Sequence, residues 1–309
     1  PDLAEAHNLR GMLLEKQKRK DDALAAYQLA VELDPAFVKA GENLSDKTFR
    51  VVDPELWWPA GMGPQNLYTV TVEIYQKGRL IDVLEKRIGF RTLALEQADD
   101  EWGKAFRFVV NGVPFFAKGG NWIPADSFPS RVSRAKYESL LKSCVAANMN
   151  MLRVWGGGIY ESPDFYDLCD ELGLVVWQDF MFACQLVPGD PGFLDNVRAE
   201  AESVIKELRH HASLALWCGN NELEQGLVAD EWTERAMSWT DYIRLFDDLL
   251  PRLIAELDPQ RPYWPCSPHT PDGDRLNFND PASGDAHLWE VWHGRKPFEW
   301  YWGSRHRFV

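Results

Sequence analysis

One apolar run that ends in a polar tetrapeptide limits the possible folds more than any other feature of the chain. Residues 214–218 are continuously apolar, and residues 219–222 follow at once as Gly-Asn-Asn-Glu. Such a run is typical of a parallel strand covered on both faces, and in barrels of such strands the residues just past the strand end form the active site. Glu222 is therefore a catalytic candidate. The alternative is a turn followed by Glu222 as a first-turn helix acid.

From residue 113 onward, apolar segments alternate with amphipathic ones. The amphipathic stretches 134–147 and 193–210 predict helices, and six segments predict strands: 115–118, 151–155, 174–178, 214–218, 263–266 and 287–292. Strand, helix, strand at these intervals indicates parallel βαβ units. The region is shorter than the about 250 residues of an eight-unit barrel. We therefore predict a mixed, mainly α/β chain with an incomplete (β/α)8 TIM barrel over residues 113–309.

The region before the barrel has the character of a β-sheet. Residues 67–75 alternate with period two, a turn signal follows at Lys77-Gly78, and residues 106–110 lead into Asn111-Gly112. The Asn-Gly pair predicts a hairpin with a type I′ turn. There are too few strands for a whole sandwich of about seven. Residues 47–112 are thus predicted to form a partial immunoglobulin-like β-sandwich.

The first segment carries a helical pattern instead. Gly11, Leu14, Ala23, Tyr27 and Pro35 match the tetratricopeptide spacing over residues 4–37, without a second copy downstream. Residues 1–46 are therefore predicted to form a tetratricopeptide-like helical hairpin. Its functional interpretation is a scaffold for a peptide partner, but a binding groove needs several repeats, which favours a hairpin without a partner.

Charge and cysteine usage exclude several classes of function. The 47 acidic residues against 33 basic ones give a net charge of -14, which argues against nucleic acid or an anionic membrane as partner. No apolar run is long enough to span a membrane and no signal peptide is visible, so we expect a cytoplasmic protein. The five scattered cysteines predict reduced thiols, and no cluster has metal-ligand spacing, so neither a metal nor a cofactor is expected.

The predicted strand ends carry hydrogen-bonding groups beside aromatic rings, which suits a polyhydroxylated sugar better than a phosphate. No phosphate-binding glycine motif is present. Cleavage of a glycoside needs a proton donor and a second carboxylate, and Asp179 or Glu290 could supply the second group or could be structural acids.

Five motifs in order resemble the β-mannosidases of glycoside hydrolase family 2 over about residues 49–309. They lie at 118–126 (KGGNWIPAD), 150–158 (NMLRVWGGG), 177–184 (WQDFMFAC), 217–222 (WCGNNE) and 289–294 (WEVWHG). The resemblance implies a retaining exo-β-mannosidase that releases terminal non-reducing β-D-mannose from oligosaccharides.

The resemblance also implies roles for single residues. Glu222 matches the general acid/base, Asn221 the amide that contacts the sugar 2-hydroxyl, and Arg153 the arginine that keeps the nucleophile ionised. The substrate pocket is expected to include Asn121, Trp155, Trp177, Asp179, Trp289, Trp292 and His293. The family nucleophile is a Glu at the end of a seventh strand, before which this sequence stops, so we expect the chain alone to be inactive. A non-catalytic interaction module that uses the N-terminal helical repeat is the alternative function.

Overall fold

The computed structural model describes residues 51–76, 79–185, 187–229, 237–271 and 275–309. Among the described residues, the chain divides into two compact units, residues 51–54 with 69–87, and residues 55–68 with 88–309. The first unit contains most of a two-stranded sheet of β1 (Tyr68–Gln76) and β2 (Arg79–Ile88). This confirms the strand predicted from the alternation at 67–75. The predicted helical hairpin, residues 1–46, lies outside the described residues.

The second unit begins with short antiparallel strands. One sheet has the order β3-β6-β7, and a separate pair joins β4 to β5; the strands are β3 (Leu93–Glu96), β4 (Asp99–Asp100), β5 (Gly103–Lys104), β6 (Arg107–Val110) and β7 (Val113–Phe115). Val110 pairs with Val113 across the turn. Asn111 and Gly112 both have positive φ, 52° and 77°, as a type I′ turn requires. The predicted hairpin is confirmed.

Five parallel strands follow in the second unit, and their order in the sheet is the order in the chain. They are β8 (Gly119–Trp122), β9 (Met151–Val154), β10 (Val175–Asp179), β11 (Leu214–Cys218) and β12 (Tyr263–Trp264). The strands predicted at 151–155, 174–178, 214–218 and 263–266 are thereby confirmed. Because all five strands are parallel, their carboxyl ends lie at one edge of the sheet.

The first predicted barrel strand was misplaced. It was predicted at 115–118, but Phe115 ends β7, which pairs antiparallel with β6, and the parallel strand is β8, directly after the predicted segment. Gly119 and Gly120 have low strand propensity, so the sequence pattern did not predict β8 as a strand. Packing explains one of them, because a Cβ on Gly119 would lie 1.6 Å from the carbonyl oxygen of Met151 on the neighbouring strand.

The strand predicted at 287–292 is also wrong. The chain turns there, and the backbone N–H groups of His293 and Gly294 both donate to the carbonyl oxygen of Trp289, at 2.9 and 2.8 Å. The domain boundaries 1–46, 47–112 and 113–309 remain predictions.

Helices connect the parallel strands. The α-helices are α1 (Arg134–Ala146), α2 (Pro163–Leu172), α3 (Pro191–Leu208), α4 (Leu223–Ala229), α5 (Trp239–Tyr242) and α6 (Leu250–Leu257), with a π-helical segment, Ile243–Leu249, between the last two. Short 3₁₀ turns lie at Pro129–Arg131, Arg275–Asn277 and Phe298–Gly303. The helices predicted at 134–147 and 193–210 correspond to α1 and α3. None of the described helices combines the length and apolarity needed to cross a membrane.

The strands β9, β10 and β11 are buried on both faces, as their continuous apolar runs predict, whereas β8 at the edge is mostly exposed. One face packs against the helices through residues such as Val154, Val176 and Trp217. The other packs against the antiparallel strands through Trp177 and Phe106, among others. The strands are thus held rigidly, and the side chains at their carboxyl ends start from fixed positions.

The end of α2 offers a test of packing. Gly173 has φ 73°, and a Cβ there would lie 2.5 Å from the backbone nitrogen of Ala60. We expect Gly173→Ala to lower the free energy of unfolding by more than the about 1–2 kcal/mol of left-handed strain alone. Gly112→Ala is the matched control, because Gly112 has φ 77° with no atom within 4 Å of the added Cβ. Urea denaturation measures both, and equal losses would contradict the close approach.

Candidate active site

The segments that follow β10, β11 and β12 are joined side by side. Asn221 forms isolated parallel bridges with Ala183 on one side and Ser267 on the other. Next to them opens a cavity of about 810 Å³. Eight of the predicted site residues line it: Asn121, Arg153, Trp155, Trp177, Asn221, Glu222, Trp289 and Trp292.

Glu222 projects its carboxylate into this cavity from a constrained backbone. Its φ is 65°, uncommon for a residue with a side chain, and its N–H donates to the carbonyl oxygen of Ser267 at 2.9 Å. The residue is only 6% exposed. Oε1 lies 2.7 Å from Nδ1 of His287 and 3.3 Å from Nε1 of Trp289, and Oε2 lies 3.4 Å from Sγ of Cys184.

The helix-cap alternative for Glu222 does not fit this geometry. The side chain that accepts a hydrogen bond at the start of α4 is that of Asn220, whose Oδ1 lies 3.0 Å from the backbone nitrogen of Leu223. Glu222 directs its carboxylate to His287 and Trp289 instead.

Opposing effects act on the ionisation of Glu222. Burial raises the pKa of its carboxyl group, but the hydrogen bond and charge of His287, helped by Cys184 and Trp289, outweigh burial and hold that pKa below its ordinary value. Burial and the nearby charge of Glu222 raise the pKa of the Cys184 thiol to about 11. Glu222 is therefore a carboxylate surrounded by donors.

Arg153 also lines the cavity and is held by a buried ion pair. Its Nε and Nη2 lie 3.2 and 2.8 Å from the two oxygens of Asp179, whose side chain is fully buried. Nη2 also donates to Oδ1 of Asn221 at 3.0 Å. Burial disfavours the Arg153 cation, yet the charge of Asp179 raises its pKa above the ordinary value. The guanidinium thus stays charged and orients the amide beside Glu222.

Strand register explains why Asn121, Arg153 and Trp177 share the cavity. Arg153 pairs with Asn121 on one side and with Trp177 on the other, and residues opposite each other in a parallel sheet point to the same face. The Arg153 guanidinium lies 5.5 Å from the centre of the Trp177 ring.

Three titratable residues that the sequence suggested for the site do not line the described cavity: Asp179, Glu290 and His293. Asp179 accepts from Arg153, from Nε1 of Trp177 at 2.8 Å and from the backbone of Gly156 at 3.0 Å, so its oxygens are occupied by structural partners. His293 and Glu290 do not line the cavity in the described part of the chain. The ring of His293 packs against Trp289 at 5.1 Å.

The cavity is also lined by polar residues that were not among the predicted site residues. They include Cys184, Ser267, Asp285 and His287. His287 lay inside a segment predicted as a strand, and only its proximity to the Trp-rich motif marked it. Asp285 accepts from Nε1 of Trp264, the backbone of His269 and Oγ of Ser267 at 2.7, 2.9 and 2.5 Å.

A second group of polar side chains lies away from the cavity. Ligand atoms of Asp167, Asp170 and His211 lie within 4.8 Å of one another. Nδ1 of His211 lies 2.7 Å from Asp170, which also accepts from the backbone of Ser213 at 2.7 Å. His211 therefore forms a buried pair with Asp170. The charges of Arg91 and Arg261 reach Asp170 as well, which disfavours a metal cation there.

Comparison with known proteins gives a consistent result. A model of glycosyl hydrolases family 2 matches residues 12–91. The chain is 41% identical over 287 residues to β-mannosidase B of Thermothelomyces thermophilus, covering 89% of the chain and 33% of that protein. It is 40% identical over 261 residues to β-mannosidase B of Emericella nidulans, covering 82% of the chain and 31% of that protein.

A solved structure agrees with these relatives. A crystal structure of a β-D-mannosidase from Dictyoglomus thermophilum superposes with a TM-score of 0.78 at 48% identity, covering 83% of this chain and 31% of that one. The chain spans about a third of the length of the curated relatives it matches. The family match begins at residue 12, within the predicted helical repeat, and the comparisons support neither that repeat nor a peptide partner.

Proposed function

We propose that the chain is part of a retaining exo-β-mannosidase that releases terminal non-reducing β-D-mannose from oligosaccharides. The observation that carries the proposal is Glu222 at the mouth of a buried parallel strand, inside a cavity lined by amide, guanidinium and indole groups. The similarity to β-mannosidases at about 40% identity or above supports the same substrate class. The sequential parallel sheet fits part of a TIM barrel, in which active sites lie at the carboxyl ends of the strands.

The proposal assigns Glu222 as the general acid/base. A retaining glycosidase uses one carboxyl group to protonate the leaving oxygen and a second, about 5–5.5 Å away, to attack the sugar. Of the carboxylates that line the described cavity, Asp285 has its oxygens occupied by three donors and is a poor nucleophile. The family resemblance places the nucleophile, a Glu, on a further strand.

Asn221 and Arg153 are proposed to hold the sugar and the nucleophile. Oδ1 of Asn221 accepts from Arg153, which leaves the amide fixed beside Glu222 for a sugar hydroxyl. The charged guanidinium favours an ionised carboxylate near it. The indole rings suit the weakly apolar faces of a sugar. They belong to Trp155, Trp177, Trp289 and Trp292, with Asn121 as a further polar contact.

The stereochemistry of hydrolysis tests the proposal. We refer to a protein that joins this chain to the remaining segments of its relatives as the extended protein. It is expected to hydrolyse an aryl β-mannoside and to release β-mannose first, because two displacements retain the configuration. Proton NMR of the first-formed sugar measures this. Release of α-mannose first would contradict the two-carboxylate scheme.

A further inference from the structure

His287 has a polar partner on each ring nitrogen, and none of the roles assigned above includes it. Nδ1 lies 2.7 Å from Oε1 of Glu222, and Nε2 lies 2.9 Å from Oγ of Ser267. The ring therefore joins the carboxylate of the proposed acid/base to the hydroxyl of Ser267. The protonation state of the His287 ring follows from the hydrogen bonds that each partner can donate or accept.

Ser267 can only accept a hydrogen bond from His287. A hydroxyl has one hydrogen, and Oγ of Ser267 lies 2.5 Å from Oδ2 of Asp285, a buried carboxylate that can only accept. The charge-assisted bond to Asp285 takes that hydrogen. Oγ then offers a lone pair to the ring, so Nε2 carries a hydrogen.

Glu222 requires a hydrogen on the other nitrogen. Its carboxylate accepts from Trp289 and Cys184, and at 2.7 Å the contact with Nδ1 is the shortest of the three. With hydrogens on both nitrogens, the ring is an imidazolium between two carboxylates, one direct and one through Ser267.

The guanidinium of Arg153 opposes this state, because its Nη1 can only donate and lies 3.3 Å from Nε2 of His287. The contact of Nε2 with Ser267 is shorter, at 2.9 Å, and the buried carboxylate of Asp179 balances the guanidinium charge. The charged groups that face the ring are therefore Glu222 and, beyond Ser267, Asp285, against one paired arginine. The thiol of Cys184 faces Glu222 and not the ring.

We infer that His287 stores the proton that Glu222 delivers to the leaving group. This inference rests on the proposed function. In the first half of the reaction, the hydrogen on Nδ1 passes to the Glu222 carboxylate, and the carboxyl group then protonates the glycosidic oxygen as its bond to the sugar breaks. The ring is left neutral with its hydrogen on Nε2, held by Ser267. In the second half, the attacking water gives a proton to Glu222, which returns it to Nδ1.

This role reconciles two properties of the site. A general acid must be protonated when it acts, whereas its donors hold the pKa of Glu222 below the ordinary value. A proton kept 2.7 Å away on His287 is available without Glu222 having to hold it at rest. His287 is thus a positioning residue that also supplies the proton.

The state of the ring can be measured without any activity. Nitrogen-15 NMR of the chain itself is expected to show His287 protonated on both nitrogens at neutral pH, with its signals assigned by their loss in His287→Asn. In Ser267→Ala the ring should become neutral at the same pH. Ser304→Ala is the matched control, because Ser304 forms the same kind of contact with His306, at 2.9 Å, outside this cavity. A singly protonated His287 ring in the unaltered chain would overturn the inference, and Asp285→Asn gives a second variant if Ser267→Ala fails to fold.

Kinetics of the extended protein separate proton supply from simple positioning. The amide of His287→Asn can donate to Glu222 but cannot give up a proton. We expect roughly a 10²-fold loss of kcat/KM on a disaccharide, which needs the acid, and a much smaller loss on an activated aryl mannoside. The matched control, His306→Asn, should leave kcat/KM unchanged on both substrates. Full activity of His287→Asn on the disaccharide would overturn proton storage. An inactive unaltered protein would instead refute the proposed function and leave the NMR result decisive.

Discussion

Replacing Glu222 by Ala in the extended protein is expected to slow hydrolysis of mannobiose by about 10²–10⁴-fold, the usual contribution of a general acid. The carboxylate lies in the cavity, 6% exposed, where no other described carboxyl group is free to protonate a leaving oxygen. The leaving group of an activated aryl mannoside departs without that proton, so the first step of its hydrolysis should slow far less. Rates on the two substrates measure the difference.

External azide gives an independent check on the same variant. A small anion can attack the glycosyl-enzyme without base assistance once the carboxylate is removed, so azide should restore turnover of the activated substrate. Glu138→Ala is the matched control, because Glu138 is an acid paired with Lys142 on the exposed surface of α1. Should Glu222→Ala keep full activity on mannobiose, the assignment of Glu222 as the acid/base would fail.

Stability should respond little to Glu222→Ala. The helix that follows is capped by the side chain of Asn220 and not by Glu222. Losing an N-cap costs about 0.5–2 kcal/mol, so Asn220→Ala is expected to lower the melting temperature more than Glu222→Ala does. This contrast separates a catalytic loss from a structural one.

Local sequence was sufficient to predict the parts of the fold with one consistent signal. The continuous apolar run of β11 predicted a buried parallel strand, and the Asn-Gly pair predicted the turn between β6 and β7. In each case the local propensity and the tertiary packing agree. The polar residues past β11 could therefore be placed in the cavity before the structure was known.

The remaining features depend on contacts between distant segments. β8 has a glycine at position 119 because the neighbouring strand lies too close for a side chain there, and no propensity records that approach. Asp179 follows a strand as a catalytic acid would, yet its oxygens are taken by Arg153, Trp177 and Gly156. His287 reaches Glu222 across 65 residues of sequence. Only the folded arrangement of loops reveals these partners.

The buried pair formed by Arg153 and Asp179 is expected to give the largest effect on stability. Arg153→Met leaves the fully buried Asp179 charge without its cation, and breaking such a pair costs about 3–5 kcal/mol. Asp179 keeps the hydrogen bonds that Trp177 and Gly156 donate to it, but it loses the cation that faces its carboxylate. Urea denaturation of the chain measures the loss. Arg131→Met is the control, because Arg131 is 63% exposed in its pair with Asp126 and should cost at most about 1 kcal/mol.

A double-mutant cycle decides whether the loss comes from the charge. If it does, adding Asp179→Asn to Arg153→Met should recover part of the stability, because the amide removes the unpaired charge and keeps most of the shape. In the extended protein, Arg153→Met should also move the acidic limb of the pH–rate profile to higher pH, since a nearby cation favours the ionised nucleophile. Additive stability losses would show that the pair is not coupled. An unchanged acidic limb alongside a clear coupling energy would assign Arg153 to holding Asp179 and Asn221 in place, and not to the ionisation of the nucleophile.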